Sequence, residues 1–202
     1  MLCAACENDL PQLPTPRCPR CNEQSPHGEV CGRCQRHPPE FDALIALYPY
    51  ATPLDRMVQQ LKYGHRLALA AWFGERLASA CTGIHVDLVM PVPLHPARLA
   101  ERGFNQSQEI GRHLGRALGV AVDPHTLARL RDTPPQAGLT LRQRRRNVRN
   151  AFLCRSDLAG PRVLLIDDVV TTGTTVGECA RTLRLHGASS VTVAAVARTA
   201  SR

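Results

Sequence analysis

The sequence predicts an α/β fold, a mostly parallel sheet with helices on both faces, preceded by a small cysteine-rich ribbon. Three observations predict it. From about residue 41 onward, short apolar runs of strand length alternate with segments of helical periodicity, the pattern of parallel strands joined by crossover helices. The last such stretch, "RVLLIDDVVTTGTTVGECARTLRLHGASSVTVAAVAR", reads as a complete βαβ unit. Near the N-terminus, six of the nine cysteines fall in three CxxC pairs, in a region without the periodic apolar pattern that could build a core unaided. Residues 1–40 are therefore expected to form one unit and residues 41–202 another.

The pairs are Cys3/Cys6, Cys18/Cys21 and Cys31/Cys34. Two CxxC pairs on facing turns supply the four thiolates that structural zinc prefers. Six sulfurs are too many for one tetrahedral site and too few for two. The short, turn-rich "CPRCNEQSPHGEVCGRC" assigns the metal to Cys18, Cys21, Cys31 and Cys34, with Cys3/Cys6 plus Cys18/Cys21 as the competing set. Such a metal replaces a missing core; a catalytic zinc would keep an open position. No βαβ pattern surrounds any pair, as a redox CxxC would require.

A total of 25 Lys and Arg against 17 Asp and Glu gives a net charge of +8, which favours anionic partners such as phosphorylated metabolites or nucleic acid. No apolar run reaches the length of a bilayer span, so no membrane insertion is expected. The opening "MLCAACENDL" lacks the basic start and apolar stretch of a signal peptide, and the expectation is a cytoplasmic, reducing location.

Element by element, "LIALYPY" reads as a short strand. "TPLDRMVQQLKYG" reads as a helix capped by Thr52, with Pro53 in its first turn and Leu54, Met57, Val58 and Leu61 along one face, ending near Gly64. "RLALAAWFGERLASAC" is a more apolar helix whose Trp72 is expected in the core. "VDLVMPV" is a buried strand, followed by a turn, "PLHPARLAERGFNQSQ", in which Asn105 can cap a helix carrying Ile110, Leu114 and Leu118 inward. "VAV" is a further short strand. From Leu130 to Asn150, adjacent prolines, a glycine and dense arginines predict a loop or mobile arm. His95, His113, His125 and His186 show no ligand spacing, and Cys81, Cys154 and Cys179 sit where buried, inert thiols are expected.

In a parallel sheet, ligands collect at the carboxyl ends of strands, where Asp167, Asp168 and the loop "TTGTT" must emerge. Thr171, Thr172, Thr174 and Thr175 offer hydroxyls and backbone N–H groups. Gly173 allows close approach, and the following helix points its positive end at the loop, so a phosphate monoester fits. Carboxylates touching that phosphate would repel it, whereas a vicinal diol is a natural partner for them, and they can also reach Mg²⁺. A ribose carrying a 5-phosphate satisfies both halves. The chain lacks GxxxxGK[ST] and has no GxGxxG after a strand.

"VLLIDDVVTTGTT" closely resembles the 5-phosphoribosyl-1-pyrophosphate (PRPP) motif of type I phosphoribosyltransferases. Together with "PVPLHPARLAERGFNQS", "RDTPPQAGLTLRQRRRNVRNAF" and the CxxC ribbon, the chain resembles the competence protein ComF family over nearly its whole length. The resemblance implies a type I phosphoribosyltransferase-like fold in which Asp167 and Asp168 contact the ribose hydroxyls and Thr171, Thr172, Gly173, Thr174 and Thr175 hold the 5-phosphate. It places Arg98 and Arg102 beside the pyrophosphate, Lys62 and Tyr63 of "LKYG" in the same pocket, and Arg142, Arg144, Arg145, Arg146 and Arg149 in a mobile arm that closes over ligand or meets nucleic acid. Two departures stand out. Purine-salvage members usually carry an acidic general base where this chain has Thr171, and ComF-like chains often carry a fourth cysteine pair, whose absence leaves Cys3 and Cys6 without evident partners for a second zinc.

Two main functions are consistent with these residues. One is Mg²⁺-dependent transfer of the phosphoribosyl group of PRPP to an unidentified nitrogen nucleophile, within nucleotide metabolism. The other, implied by the ComF resemblance, is binding of single-stranded DNA during uptake, alongside DNA-uptake or recombination proteins, although aromatic residues at 4% are few for a base-stacking platform. A third is a regulator that senses PRPP without turning it over.

Overall fold

The computed structural model describes residues 2–132 and 148–200. Four parallel strands form the central sheet in the order β1 (Ala43–Pro49), β6 (Ser190–Arg198), β5 (Arg162–Val170) and β2 (Leu88–Pro91). The "VAV" segment, expected as a short strand, meets β2 only through an isolated parallel bridge between Val89 and Val122. β5 is covered on both sides, and its side chains alternate between two cores. Val163 and Leu165 face α7 (Thr174–Leu185) through Cys179, Ala180 and Leu183. Leu164 and Ile166 face α3 (Leu54–Tyr63), α4 (Ala68–Ala80) and α6 (Gln106–Leu118) through Leu61, Phe73 and Ile110. Leu164, Leu165 and Ile166 are all fully buried, each contributing about 1.5–3 kcal/mol by burial. This is the mostly parallel, two-sided sheet that the apolar runs predict.

Local chemistry sets several boundaries. The Asn105 side chain accepts the Ser107 N–H at the start of α6, and Gly119 ends that helix in the left-handed conformation at φ 69°. Trp72 is buried, as expected, and donates its Nε1–H to Glu7 of α1 (Ala4–Asn8) at 2.7 Å.

Three details differ from the sequence expectations. Thr52 does not cap α3, which begins at Leu54; its hydroxyl lies 3.3 Å from the Asp55 carboxylate instead. The stretch after β2 is not all turn. It contains α5 (Pro96–Arg102), whose start is capped by His95 through the Ala97 N–H and whose end is Gly103 at φ 81°. The region around the arm also carries a small antiparallel pair, β3 (Leu127–Arg129) with β4 (Phe152–Cys154), too short to show a period. The central part of the expected arm, with Arg142, Arg144, Arg145 and Arg146, lies outside the described residues.

The N-terminal region holds α1, the short helix α2 (Gly32–Arg36) and an Arg17–Gln24 bridge, with Cys18, Cys21 and Cys34 forming a small core against Val30 and Cys31. It is tied to the sheet by Arg198 at the end of β6, which is 2% exposed and pairs with Glu23 at 2.5 Å.

Gly74 lets α4 and α6 approach closely, because a Cβ there would lie 2.8 Å from the Ile110 carbonyl oxygen and 2.9 Å from the Leu114 nitrogen. Gly74→Ala must push the two backbones apart and is expected to cost about 1–3 kcal/mol, measured as a lower urea midpoint with an unchanged slope.

Candidate functional site

At the carboxyl end of β5 the chain places two acids and then turns directly into α7 through Gly173, which caps the helix in the left-handed conformation at φ 78°. A hollow at this turn is lined by Asp167, Val169–Thr171 and Gly173–Val176, so the acids' strand and the threonine loop enclose one space. The Thr172 and Thr174 hydroxyls lie 2.7 Å apart, and the first turn of α7 directs its N–H groups towards the same loop.

The two acids have different surroundings. Asp168 is buried; its Oδ1 accepts the Val169 N–H at 2.8 Å, and its Oδ2 faces the Lys62 ammonium at 2.5 Å. Burial works against the Asp168 charge, but Lys62 outweighs it and holds the carboxyl below the usual range. Burial likewise opposes the charge of Lys62, and Asp168 holds that pKa above the ordinary lysine value. Asp167 is partly open and accepts the Asp168 N–H at 2.9 Å and the Ser107 hydroxyl at 3.3 Å. Burial and the neighbouring Asp168 charge push its pKa up to about 8. The site thus matches one carboxylate to one ammonium and holds the second carboxyl above the ordinary carboxylate range.

Arg102 stands next to this pair, donating to Gln106 Oε1 at 2.6 Å and lying 5.1 Å from the Tyr63 ring centroid. Arg102 thus lies against Tyr63, whose neighbour in α3, Lys62, is the partner of Asp168. Arg98 lies further along α5, with its Nε 3.7 Å from Asp132, at the edge of the described residues. Arg149 lines a different space, a cleft of about 720 Å³ between α2 and the outer side of the threonine loop.

Sequence reasoning missed Ser107, Asn105 and Arg129. Asn105 caps α6 and also donates to the Val92 carbonyl at 3.0 Å, which fixes where Ser107 meets Asp167. Only the capping pattern was visible in the chain. Arg129 is part-buried on β3 with its guanidinium 5.6 Å from the Phe152 centroid; burial and Arg98 lower its pKa while Asp167 opposes them. Nothing in "TLARL" marks it.

The sulfurs of Cys18, Cys21, Cys31 and Cys34 all lie within 4.8 Å of one another, and those of Cys21 and Cys31 are 3.6 Å apart. A tetrahedral zinc with Zn–S bonds of about 2.3 Å brings sulfurs to about 3.8 Å, so the set fits a closed structural site. Burial favours the neutral thiol of Cys18, but N–H groups led by that of Cys31, 3.3 Å from its sulfur, bring it down to about 7. Burial pushes Cys21 up to about 11 and Cys34 higher still, charges that a bound cation would offset. Cys3 and Cys6 are exposed and stand outside this group, so the competing set is not assembled here.

A phosphoribosyl transferase domain model matches residues 118–202, which include the acid pair and the loop. DNA utilization protein YhgH of Salmonella typhimurium is 37% identical over 206 aligned residues, covering 98% of this chain and 90% of its own length. The chain belongs to the competence protein ComF family. Competence protein F of Haemophilus influenzae is 29% identical across 98% of this ComF-family chain and 90% of its own length. Among solved structures, adenine phosphoribosyltransferase from Thermoanaerobacter pseudethanolicus aligns over 68% of this chain and 72% of its own, at 19% identity and a TM-score of 0.42. Among the described residues, no helix of this ComF-family member is long and apolar enough to cross a membrane.

The unequal acids make opposite stability predictions. Folding raises the Asp167 pKa, so the fold loses stability as pH rises from about 4 to about 8; Asp167→Asn removes that loss and is expected to raise the melting temperature increasingly across the window. Asp168 has a lowered pKa, and its contribution is lost only as pH falls below the usual carboxylate range. At pH 7.5, Asp168→Asn leaves Lys62 without its principal partner and is expected to cost roughly 3–5 kcal/mol, read by thermal denaturation. For the cysteines, one zinc per chain is expected by elemental analysis, unchanged in Cys3→Ser/Cys6→Ser and lost in Cys18→Ser/Cys34→Ser.

Proposed function

We propose that this ComF-family chain is a competence-type protein that handles single-stranded DNA in the cytoplasm and binds a 5-phosphoribosyl group at the β5–α7 turn. The observation that carries the site is the joint placement of Asp167 with Thr171, Gly173, Thr174 and Thr175 around one hollow at the end of a buried strand, with Asp168 next to Asp167 in the same strand. Asp167 and Asp168 accept hydrogen bonds from ribose hydroxyls. The hydroxyls and N–H groups of Thr171, Thr172, Gly173, Thr174 and Thr175 hold the 5-phosphate at the positive end of α7. Support for the DNA role comes from the names of the relatives and from the +8 net charge. The arginines of the arm would contact strand phosphates, DNA-uptake or recombination proteins would act alongside, and the four-cysteine set would hold zinc as a structural element.

The intact acid pair also favours a second reading, transfer of the phosphoribosyl group from PRPP. There the C1–O bond to pyrophosphate breaks, a bond forms from C1 to a nitrogen acceptor, and the acceptor's proton passes to the departing pyrophosphate or to water. The chain's residues would work by positioning and charge: Asp167 and Asp168 orient the diol while Arg102 and Arg98 stabilise the leaving pyrophosphate. When bound, Mg²⁺ would supply further charge neutralisation at the pyrophosphate. The donor set fits an ion held mainly by ligand oxygens, because Asp168 already carries the Lys62 ammonium and leaves Asp167 as the available acid.

Calorimetric titration of PRPP with Mg²⁺ tests the site. Binding by the wild type, weakened at least about tenfold in Asp167→Asn/Asp168→Asn through loss of the charge-assisted bonds, is the expected result; equal heats from both proteins would remove the ribose-phosphate reading. The same double variant should bind single-stranded DNA with an unchanged salt slope. Neutralising Arg142, Arg144, Arg145, Arg146 and Arg149 together should flatten that slope.

A further inference from the structure

The threonine loop has two sides, and they open into different spaces. Its inner side, with Thr171 and Thr175, shares a hollow with Asp167. Its outer side, with Thr172 and Gly177, is one wall of the 720 Å³ cleft whose other walls carry Arg33 and Arg36 of α2, and Arg149 and Arg181. Gly173 and Thr174 line both. At that shared position there is room: a Cβ on Gly173 would meet only the edge of the Phe41 ring, at 3.7 Å.

This arrangement has a directional consequence for any nucleotide bound there. With its ribose on the acid pair and its 5-phosphate in the loop, the outward oxygen of that phosphate faces the wall shared with the cleft. In PRPP that oxygen is terminal. In a polynucleotide the same oxygen carries the preceding nucleotide, so the rest of the strand would leave through the cleft, with its phosphates passing the arginines. Four arginines and two glutamates, Glu40 and Glu178, line the cleft; Glu178 is engaged by Arg181 at 2.7 Å, so the cleft is net positive, as a phosphodiester chain requires. Arg33 and Arg36 are presented by a five-residue helix that starts next to Cys31 and contains Cys34, so the cysteine cluster sets where those two charges stand.

We infer that the β5–α7 site and the α2 cleft form one continuous binding site for the 3′ end of a single nucleic-acid strand: the terminal nucleotide occupies the ribose-phosphate site and the strand runs 5′-ward past Arg36, Arg33, Arg149 and Arg181. This rests on the DNA-handling reading above and gives it a polarity. The acids recognise the free terminal hydroxyls, so the strand must end inside the site. A 3′-terminal ribonucleotide offers two hydroxyls, a deoxynucleotide one, and a dideoxynucleotide or a 3′-phosphate none that the pair can accept from.

The test is fluorescence anisotropy with 12-mer oligothymidylates labelled at the 5′ end and differing only in the last sugar, together with competition by unlabelled ribose 5-phosphate. The expected order of affinity is ribo, then deoxy, then dideoxy and 3′-phosphate, with about tenfold lost per hydroxyl. Ribose 5-phosphate is expected to abolish the differences among the ends. Arg33→Glu/Arg36→Glu, with its zinc content verified, should weaken every 12-mer at least about tenfold while leaving ribose 5-phosphate binding unchanged. Strands that bind equally whatever their 3′ end, or a double-arginine variant that binds them as the wild type does, would overturn the continuous site and leave the DNA-handling reading intact. Binding of ribose 5-phosphate with no binding of any 12-mer would overturn both.

Discussion

The ion pair between Lys62 and Asp168 is the contact on which the rest of the site depends. Two adjacent acids stand near the end of a strand whose preceding residues are buried on both faces, and an unmatched carboxylate there would cost several kcal/mol. The protein answers with a cation on Asp168 and a raised pKa on Asp167. Delivering that cation requires α3 to lie across the strand end, which the burial of Leu54, Val58 and Leu61 accomplishes. Delivering the hydroxyl on Asp167 requires α6 to begin where Asn105 caps it, and Asn105 is in turn anchored to the Val92 carbonyl just after β2. The acids are thus held by two helices and a neighbouring strand before any ligand arrives, the kind of preorganisation that saves ordering free energy on binding.

The cysteine cluster is the second organising element, and it answers a different shortage. The N-terminal region has few apolar side chains to bury, and three cysteines supply its small core. Its ties to the sheet are polar and specific: Glu23 reaches the buried Arg198 at the carboxyl end of β6, while Glu7 takes both the Trp72 N–H and the Arg76 guanidinium. A ribbon clamped at the carboxyl edge of the sheet sits on the side where parallel sheets bind their ligands. That placement would give a metal held by the cysteines a bearing on the proposed site without touching its chemistry, because the arginines of α2 and the threonine loop line one cleft.

These two elements bring the ribose-phosphate and nucleic-acid readings together. A sugar phosphate and the last nucleotide of a strand make the same ground-state demands on Asp167, Asp168 and the threonine loop. They differ in what lies beyond the phosphate, and here that is a cationic cleft larger than the hollow beside it. Charge that would be excessive for a small metabolite is appropriate for a chain of phosphodiesters.

The sequence by itself determined the parallel two-sided sheet, the β5–α7 turn with its acids and threonines, and the choice of Cys18, Cys21, Cys31 and Cys34, because each is written in neighbouring residues: alternation, a strand-to-helix junction, and CxxC spacing. It placed Lys62 near the pocket only through the resemblance and named no partner for it, since a lysine near the end of an amphipathic helix looks like any solvated charge. The tertiary structure alone decided that Lys62 neutralises Asp168, that Ser107 reaches Asp167, that Arg129 lies close enough to act on that acid, and that Arg33 and Arg36 stand across a cleft from Thr172. Those relations join residues far apart in the chain, on different layers of the fold. A periodic pattern tells which face of a helix is buried; which charge on its rim meets which strand end depends on how the layers pack.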